Sequence, residues 1–121
     1  ENDKFIVGDI EFEPLLLFHG KLPVLGFRIH NLAYCTDTNG LPEQTLEKLS
    51  NLDILILDAL RYDKHSTHFN IAEAIEVAKT INAKQTYFIH IAHQIKHSDC
   101  EKELPERMFL SYDGLEFILD Q

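Results

Sequence analysis

The sequence predicts an α/β fold in which antiparallel hairpins are added to a parallel sheet. The main observation is a strand, a helix and a strand in succession, over residues 53–58, 70–82 and 85–90. Such βαβ units form parallel sheets with right-handed crossovers. Two turn signals, Gly8-Asp9 and Asp113-Gly114, each lie between short apolar segments. They predict one hairpin near each end of the chain.

The first sixty residues have the pattern of successive strands. "KFIV" and "IEFEPLLLF" are joined at the first of these turns, and "PVLGFRI" and "LAYCT" flank a further turn at His30-Asn31. "LDILILDAL" is a nearly continuous apolar run. That pattern is typical of a strand that is buried on both faces of a sheet.

Two helices are predicted between these strands and those that follow. "LPEQTLEKLS" indicates a short helix, and "NIAEAIEVAKTINA" gives the clearest helical pattern in the chain. Asn70 can cap the second helix, with Glu73 three residues later as in a capping box. The helix is followed by the strand "QTYFIH", and later by "MFLSY" and "LEFIL", which flank the second turn signal.

Composition fits one domain and narrows the possible functions. The chain has 121 residues, 45% of them hydrophobic, and two isolated cysteines that suit a reducing, cytoplasmic location. It has no run of about 18 apolar residues, so we expect no membrane span. The net charge of −9 argues against nucleic acid as a partner. An acidic protein can still act on phosphate esters if bound metal supplies positive charge.

Polar residues end four of the predicted strands. His19, Asp37, Asp58 and His90 each follow an apolar strand segment, and functional groups of open α/β sheets gather beyond the carboxyl ends of strands. Imidazole and carboxylate together suit zinc, manganese or iron. His19, Asp37 and His90 are the good ligand candidates. A site with two metal ions needs more ligands than these three.

The same residues have ordinary structural explanations. Asp37, in "TDTNG", has the setting of a turn aspartate that bonds its own backbone. Asp58 suits either a loop cap or a group that orients a neighbouring histidine. His65 and His68 fit exposed loop positions, and His93 fits either a contact near the site or packing beneath it. The pattern alone leaves these alternatives open.

Several segments in order resemble a known family. "FHGKLPVLGFRI", "AYCTDTNG", "LDILILDALRYDKHSTHFNIAEAIEVA", "YFIHIAHQI" and "LPERMFLSYDGLEF" are similar to successive blocks of the metallo-β-lactamase fold hydrolases. The branch they resemble most is that of the phosphoribosyl cyclic phosphate phosphodiesterases, with ribonuclease Z more distant. The resemblance covers roughly residues 13 to 118. It implies an αββα sandwich with two divalent metal ions, zinc or manganese.

The resemblance also implies roles for individual residues. His19 matches a ligand histidine, Asp37 matches the aspartate that bridges the metals, and His90 matches the last histidine ligand. His68 matches the family's catalytic histidine, which contacts substrate phosphate or acts as a general acid. The remaining matches imply supporting roles near the metals or the substrate: Asp58, His65 and His93.

One family motif is missing. The H-x-H-x-D-H sequence, which supplies most of the ligands in the family, does not occur in this chain. We therefore expect residues 1–121 to be a single C-terminal half-domain of a hydrolase that cleaves a small phosphodiester. The alternatives are ribonuclease Z-like RNA processing and a non-catalytic fragment or interaction domain. Half of a sandwich exposes a sheet face, which predicts a homodimer or a domain swap.

Overall fold

The computed structural model describes residues 4–36, 38–59, 70–89 and 104–111, and these residues form one mixed sheet with two helices. The seven strands lie side by side in chain order, from β1 to β7. The elements are β1 (Phe5–Val7), β2 (Ile10–His19), β3 (Leu22–Ile29), β4 (Leu32–Cys35), α1 (Glu43–Glu47), β5 (Ile54–Asp58), α2 (Ile71–Ile81), β6 (Gln85–Ile89) and β7 (Met108–Leu110).

Strand direction changes at the middle of the sheet. The strands β1 to β4 form antiparallel pairs, whereas β4 to β7 pair in parallel. Because β3 is antiparallel to both of its neighbours, β2 runs in the same direction as β4, β5, β6 and β7. The predicted α/β fold with added hairpins is therefore confirmed. The hairpin at Gly8-Asp9 is present, and the one at Asp113-Gly114 lies outside the described residues.

Helix α2 begins and ends with the signals that its sequence contains. Asn70 Oδ1 accepts a hydrogen bond from the Glu73 backbone N at 2.7 Å, and Glu73 Oε1 accepts one from the Asn70 backbone N at 3.0 Å. This reciprocal pair is the predicted capping box. At the other end Asn82 adopts a left-handed conformation, with φ 57°, and its N–H bonds to the Ala78 carbonyl at 2.8 Å. Asparagine is one of the few residues that tolerate this conformation.

The core lies on the sheet face that the two described helices cover. Helix α1 contacts β2 and helix α2 contacts β5. Most strand side chains that point to this face are buried, and the helices and their flanking loops add further apolar groups. The buried cluster is Leu15, Leu17, Ala33, Cys35, Leu49, Leu52, Leu55, Leu57, Ala59, Ile71, Ala74, Ala78, Ala83, Phe88 and Leu110.

The opposite face of the sheet carries an apolar row that is only half-covered. Phe27, Tyr34, Ile56, Tyr87 and Phe109 lie in register across five neighbouring strands, and each of them retains exposed surface. The prediction that the "LDILILDAL" strand is buried on both faces is therefore wrong. Its residues alternate between buried and half-buried because the described helices cover one face only. Neither described helix has the length and apolar character that crossing a membrane requires.

Candidate functional site

The strands bring the predicted polar residues to one edge of the sheet. His19 is the last residue of β2, Asp58 is the last residue of β5, and β4 ends one residue before Thr36. Because these three strands run in the same direction, their carboxyl ends meet at the same edge. His19 and Asp58 therefore belong to one end of the fold, although they are 39 positions apart in the sequence (58 − 19 = 39).

Asp58 anchors the loop that follows β4. Its side chain is fully buried, and its Oδ2 accepts a hydrogen bond from the backbone N of Thr38 at 2.6 Å. A carboxylate that accepts a backbone N–H makes one of the stronger hydrogen bonds in proteins. The end of β5 is thereby fixed to the residue that directly follows Asp37 in the sequence.

Thr38 connects the same loop to β2. Its fully buried hydroxyl donates to the Phe18 carbonyl at 2.5 Å and accepts from the Gly40 backbone N at 3.1 Å. Phe18 and Gly40 also form an isolated antiparallel bridge, in which the Phe18 N donates to the Gly40 carbonyl at 3.0 Å. The loop is therefore joined both to β2 and to β5.

Asn39 adds a contact on the other side of His19. Its Oδ1 accepts from the Gly20 backbone N at 3.0 Å, and its own backbone N donates to the Phe18 carbonyl at 2.9 Å. The backbone immediately before and after His19 is thus held by the loop. His19 itself is half-buried at the end of β2.

Neither Thr38 nor Asn39 has a role that the sequence alone predicts. The available signal was the composition of "TDTNG", since short polar side chains of this kind readily bond nearby backbone groups. Their partners lie about 20 positions away, at Phe18, Gly20 and Asp58. A local pattern gives no indication of partners at that distance.

Cys35 lies close to this edge but does not suit a chemical role. The thiol is fully buried, and burial, together with the negative charge of Asp58, raises its pKa to about 12. The thiolate is the form of cysteine that binds metal and acts as a nucleophile. Since the Cys35 thiol stays protonated near neutral pH, it acts as a small core side chain.

The other predicted site residues lie outside the described residues: Asp37, His65, His68, His90 and His93. Within the described residues, no group of three or more His, Cys, Asp and Glu side chains is placed to hold a metal ion. The donor chemistry that is described fits such an ion in part. His19 supplies an imidazole, a common ligand of zinc, on a backbone that is bonded on both sides.

Comparisons with known protein sequences identify the family and one partial relative. The family model for the β-lactamase superfamily domain matches residues 1–91. The octanoyltransferase of Porphyromonas gingivalis (strain ATCC BAA-308 / W83) is 35% identical over 119 residues. That match covers 97% of this chain and 24% of the relative. The chain therefore spans about a quarter of the curated relative.

Several solved structures are similar to nearly the whole chain. A diphosphatase from the PhnP family has a TM-score of 0.93 and 36% identity, and the match covers 95% of this chain and 45% of that one. The metallo-β-lactamase fold protein YhfI from Bacillus subtilis has a TM-score of 0.79 and 21% identity, covering 94% and 52%. Human tRNase Z, short form, has a TM-score of 0.71 and 19% identity, covering 92% and 44%. The last two likenesses show the fold alone.

Proposed function

Since this chain belongs to the metallo-β-lactamase fold hydrolases, we propose that it is the C-terminal half of a metal-dependent enzyme that cleaves a small phosphodiester. The observation that carries the proposal is the common edge at which β2, β4 and β5 end, with His19 fixed there by the loop after β4. The strong likeness to a diphosphatase supports phosphate chemistry. The chain covers less than half of that relative, so the activity belongs to a longer protein.

The proposed roles follow the strand ends. His19, Asp37 and His90 hold metal, and His68 stabilises or protonates the leaving group. Asp58 supports the site through Thr38, and His65 and His93 lie near the metals or the substrate. When bound, two zinc or manganese ions provide a hydroxide nucleophile and neutralise phosphoryl oxygens. Such positive charge is needed here, because the chain itself carries a net charge of −9.

The test compares two histidine variants in the full-length protein. His19→Asn removes the proposed ligand, whereas His30→Asn changes an exposed histidine in the turn between β3 and β4, at the opposite edge of the sheet. Asparagine also suits the left-handed conformation of residue 30, where φ is 52°. Bound metal is measured by atomic emission, and hydrolysis is measured with bis(p-nitrophenyl) phosphate.

We expect His19→Asn to lose bound metal and to lower hydrolysis more than about 100-fold, since even the partners of metal ligands contribute 10- to 100-fold. Asp37→Ala should behave in the same way, and His30→Asn should match the unmodified protein. Unchanged metal content and activity in both His19→Asn and Asp37→Ala would refute the proposal.

Two further substrates test the alternatives. Cleavage of a precursor transfer RNA that depends on Asp37, without phosphodiester turnover, would favour ribonuclease Z-like processing. Octanoyl transfer is assayed in parallel because the curated relative carries that name. Octanoyl transfer that depends on Asp37 would also contradict the phosphodiesterase proposal.

The homodimer or domain swap through the open sheet face stays a prediction. The row from Phe27 to Phe109 is the apolar surface on which it depends. Light scattering on the isolated 121-residue segment measures the outcome directly. A folded, monodisperse monomer that binds metal tightly would contradict both the dimer and the reading of the segment as half of a fold.

A further inference from the structure

We propose that Thr38 and Asn39 are positioning residues that hold the backbone on both sides of His19. They do so by clamping the end of β2 to the loop after β4. The inference rests on the proposed function, because that proposal makes His19 a metal ligand. It adds two residues that act on the metal only through the position of this ligand.

The ends of three strands converge on Thr38. Its backbone N bonds to Asp58 at the end of β5, and its hydroxyl bonds to Phe18, next to the end of β2. Thr38 itself lies three residues beyond the end of β4. A displacement of any one of these strands is therefore transmitted to the residue beside Asp37.

The backbone is held on both sides of His19. Thr38 and Asn39 both bond to the Phe18 carbonyl, and the Asn39 side chain bonds to the Gly20 N. Gly20 has φ 65° in the turn that leads into β3, a conformation that glycine adopts without strain. The Cα position of His19 is thus set by these three bonds from the loop after β4.

A second buried threonine separates the positioning of His19 from the general stabilisation of β2. Within the described residues, the pairing of β1 with β2 ends at Phe12, and the backbone carbonyls of Leu16 and Phe18 bond to other elements. The Thr45 hydroxyl donates to the Leu16 carbonyl at 2.6 Å, and Thr45 is as deeply buried as Thr38. Both threonines therefore support the edge of β2, but Thr45 lies in α1 and its described hydrogen bonds go to Leu16, Pro42 and Lys48, not to Thr38 or Asn39. Thr45 is the matched control.

The experiment measures metal binding in the full-length protein, with Co²⁺ as the probe. Affinity is obtained by competition with a chelator, and ligand geometry is obtained from the visible absorption spectrum of the bound Co²⁺. Thr38→Val keeps the size of the side chain but removes the hydroxyl, and Thr38→Ser restores it. Thr45→Val removes the equivalent hydroxyl from the control position. Urea unfolding of each variant reports stability separately.

We expect Thr38→Val to weaken Co²⁺ binding about 10- to 100-fold, the range found for groups that orient metal ligands, and to change the spectrum. Thr38→Ser should bind like the unmodified protein. Thr45→Val should lose stability in urea but keep both affinity and spectrum. Asn39→Ala, which keeps the backbone contact to Phe18 but loses the contact to Gly20, should also weaken binding. It provides the test if Thr38→Val does not fold.

The outcomes distinguish this inference from the function on which it rests. If Asp37→Ala still binds Co²⁺ tightly, the proposed function fails and the clamp fails with it. If Asp37→Ala loses Co²⁺ but both Thr38→Val and Asn39→Ala bind normally, the clamp alone is overturned. Equal weakening in Thr45→Val and Thr38→Val would also overturn it, because the effect would then follow general support of β2.

Discussion

Replacing Gly26 with alanine tests whether close strand packing maintains the frame of the site. A Cβ at this position would lie 2.6 Å from the Tyr34 carbonyl oxygen and 2.8 Å from Leu17 Cδ1. Ordinary contact begins at 3.4 Å, so the carbonyl would have to move by about 0.8 Å (3.4 − 2.6). The Leu17 methyl group can rotate away, but the carbonyl belongs to the backbone of β4. We therefore expect β3 and β4 to separate locally.

The size of the effect follows from two opposing contributions. Inserting a methyl group into a well-packed core costs about 1–3 kcal/mol. Replacing glycine with alanine also restricts the unfolded chain, which stabilises the folded state by about 0.4–1 kcal/mol. The clash is with backbone, so the first contribution dominates and the net loss of unfolding free energy should be about 1–2 kcal/mol. Because β3 lies between β2 and β4, metal affinity should fall as well.

Gly40→Ala is the matched control for this prediction. A Cβ there would contact only Phe18 Cβ, at an ordinary 3.8 Å. Its bonds to Phe18 and Thr38 use the backbone and are retained. Urea unfolding should therefore show Gly40→Ala to be neutral or slightly more stable. The reasoning is refuted if Gly26→Ala unfolds at the same urea concentration as the unmodified protein, or if the two variants lose equal stability.

Two further predictions concern the helix cap and the buried thiol. Asn70→Ala should lower the unfolding free energy by about 1 kcal/mol, whereas Asn70→Asp should retain it, because aspartate accepts the same bond from the Glu73 N. Equal loss in both variants would argue against the cap. The pKa of Cys35 is raised from 9.0 to about 12 by burial and by Asp58, so above pH 9 the unfolded chain releases a proton that the folded chain keeps. Stability should then fall by up to about 1.4 kcal/mol per pH unit between pH 9 and 12. Urea unfolding across this range should show the additional slope in the unmodified protein and not in Cys35→Ala.

Local signals predicted the elements whose causes are local. Asn70 and Glu73 satisfy each other's backbone groups within one helical turn. The Gly8-Asp9 turn directly joins Val7 of β1 to Ile10 of β2. The direction of each strand was also enough to predict that His19 and Asp58 lie at one edge of the sheet. The apolar run of β5 predicted burial on both faces, because such a run does not reveal whether a second layer is present. Only the resemblance to half of a sandwich predicted an exposed sheet face.

The described part of the candidate site is mainly a frame of hydrogen bonds around the end of β2. The buried carboxylate of Asp58 is bonded to the Thr38 N. The Thr38 hydroxyl is bonded to the Phe18 carbonyl, and the Asn39 side chain is bonded to the Gly20 N. These bonds join residues of the chain to one another, so they form on folding and need no ion to complete them. A ligand on such a frame is held in place before metal binds, which reduces the cost of ordering it at that moment. Substitutions in this frame should therefore lower both metal affinity and the stability of the metal-free protein. Substitutions of the ligands should lower metal affinity alone.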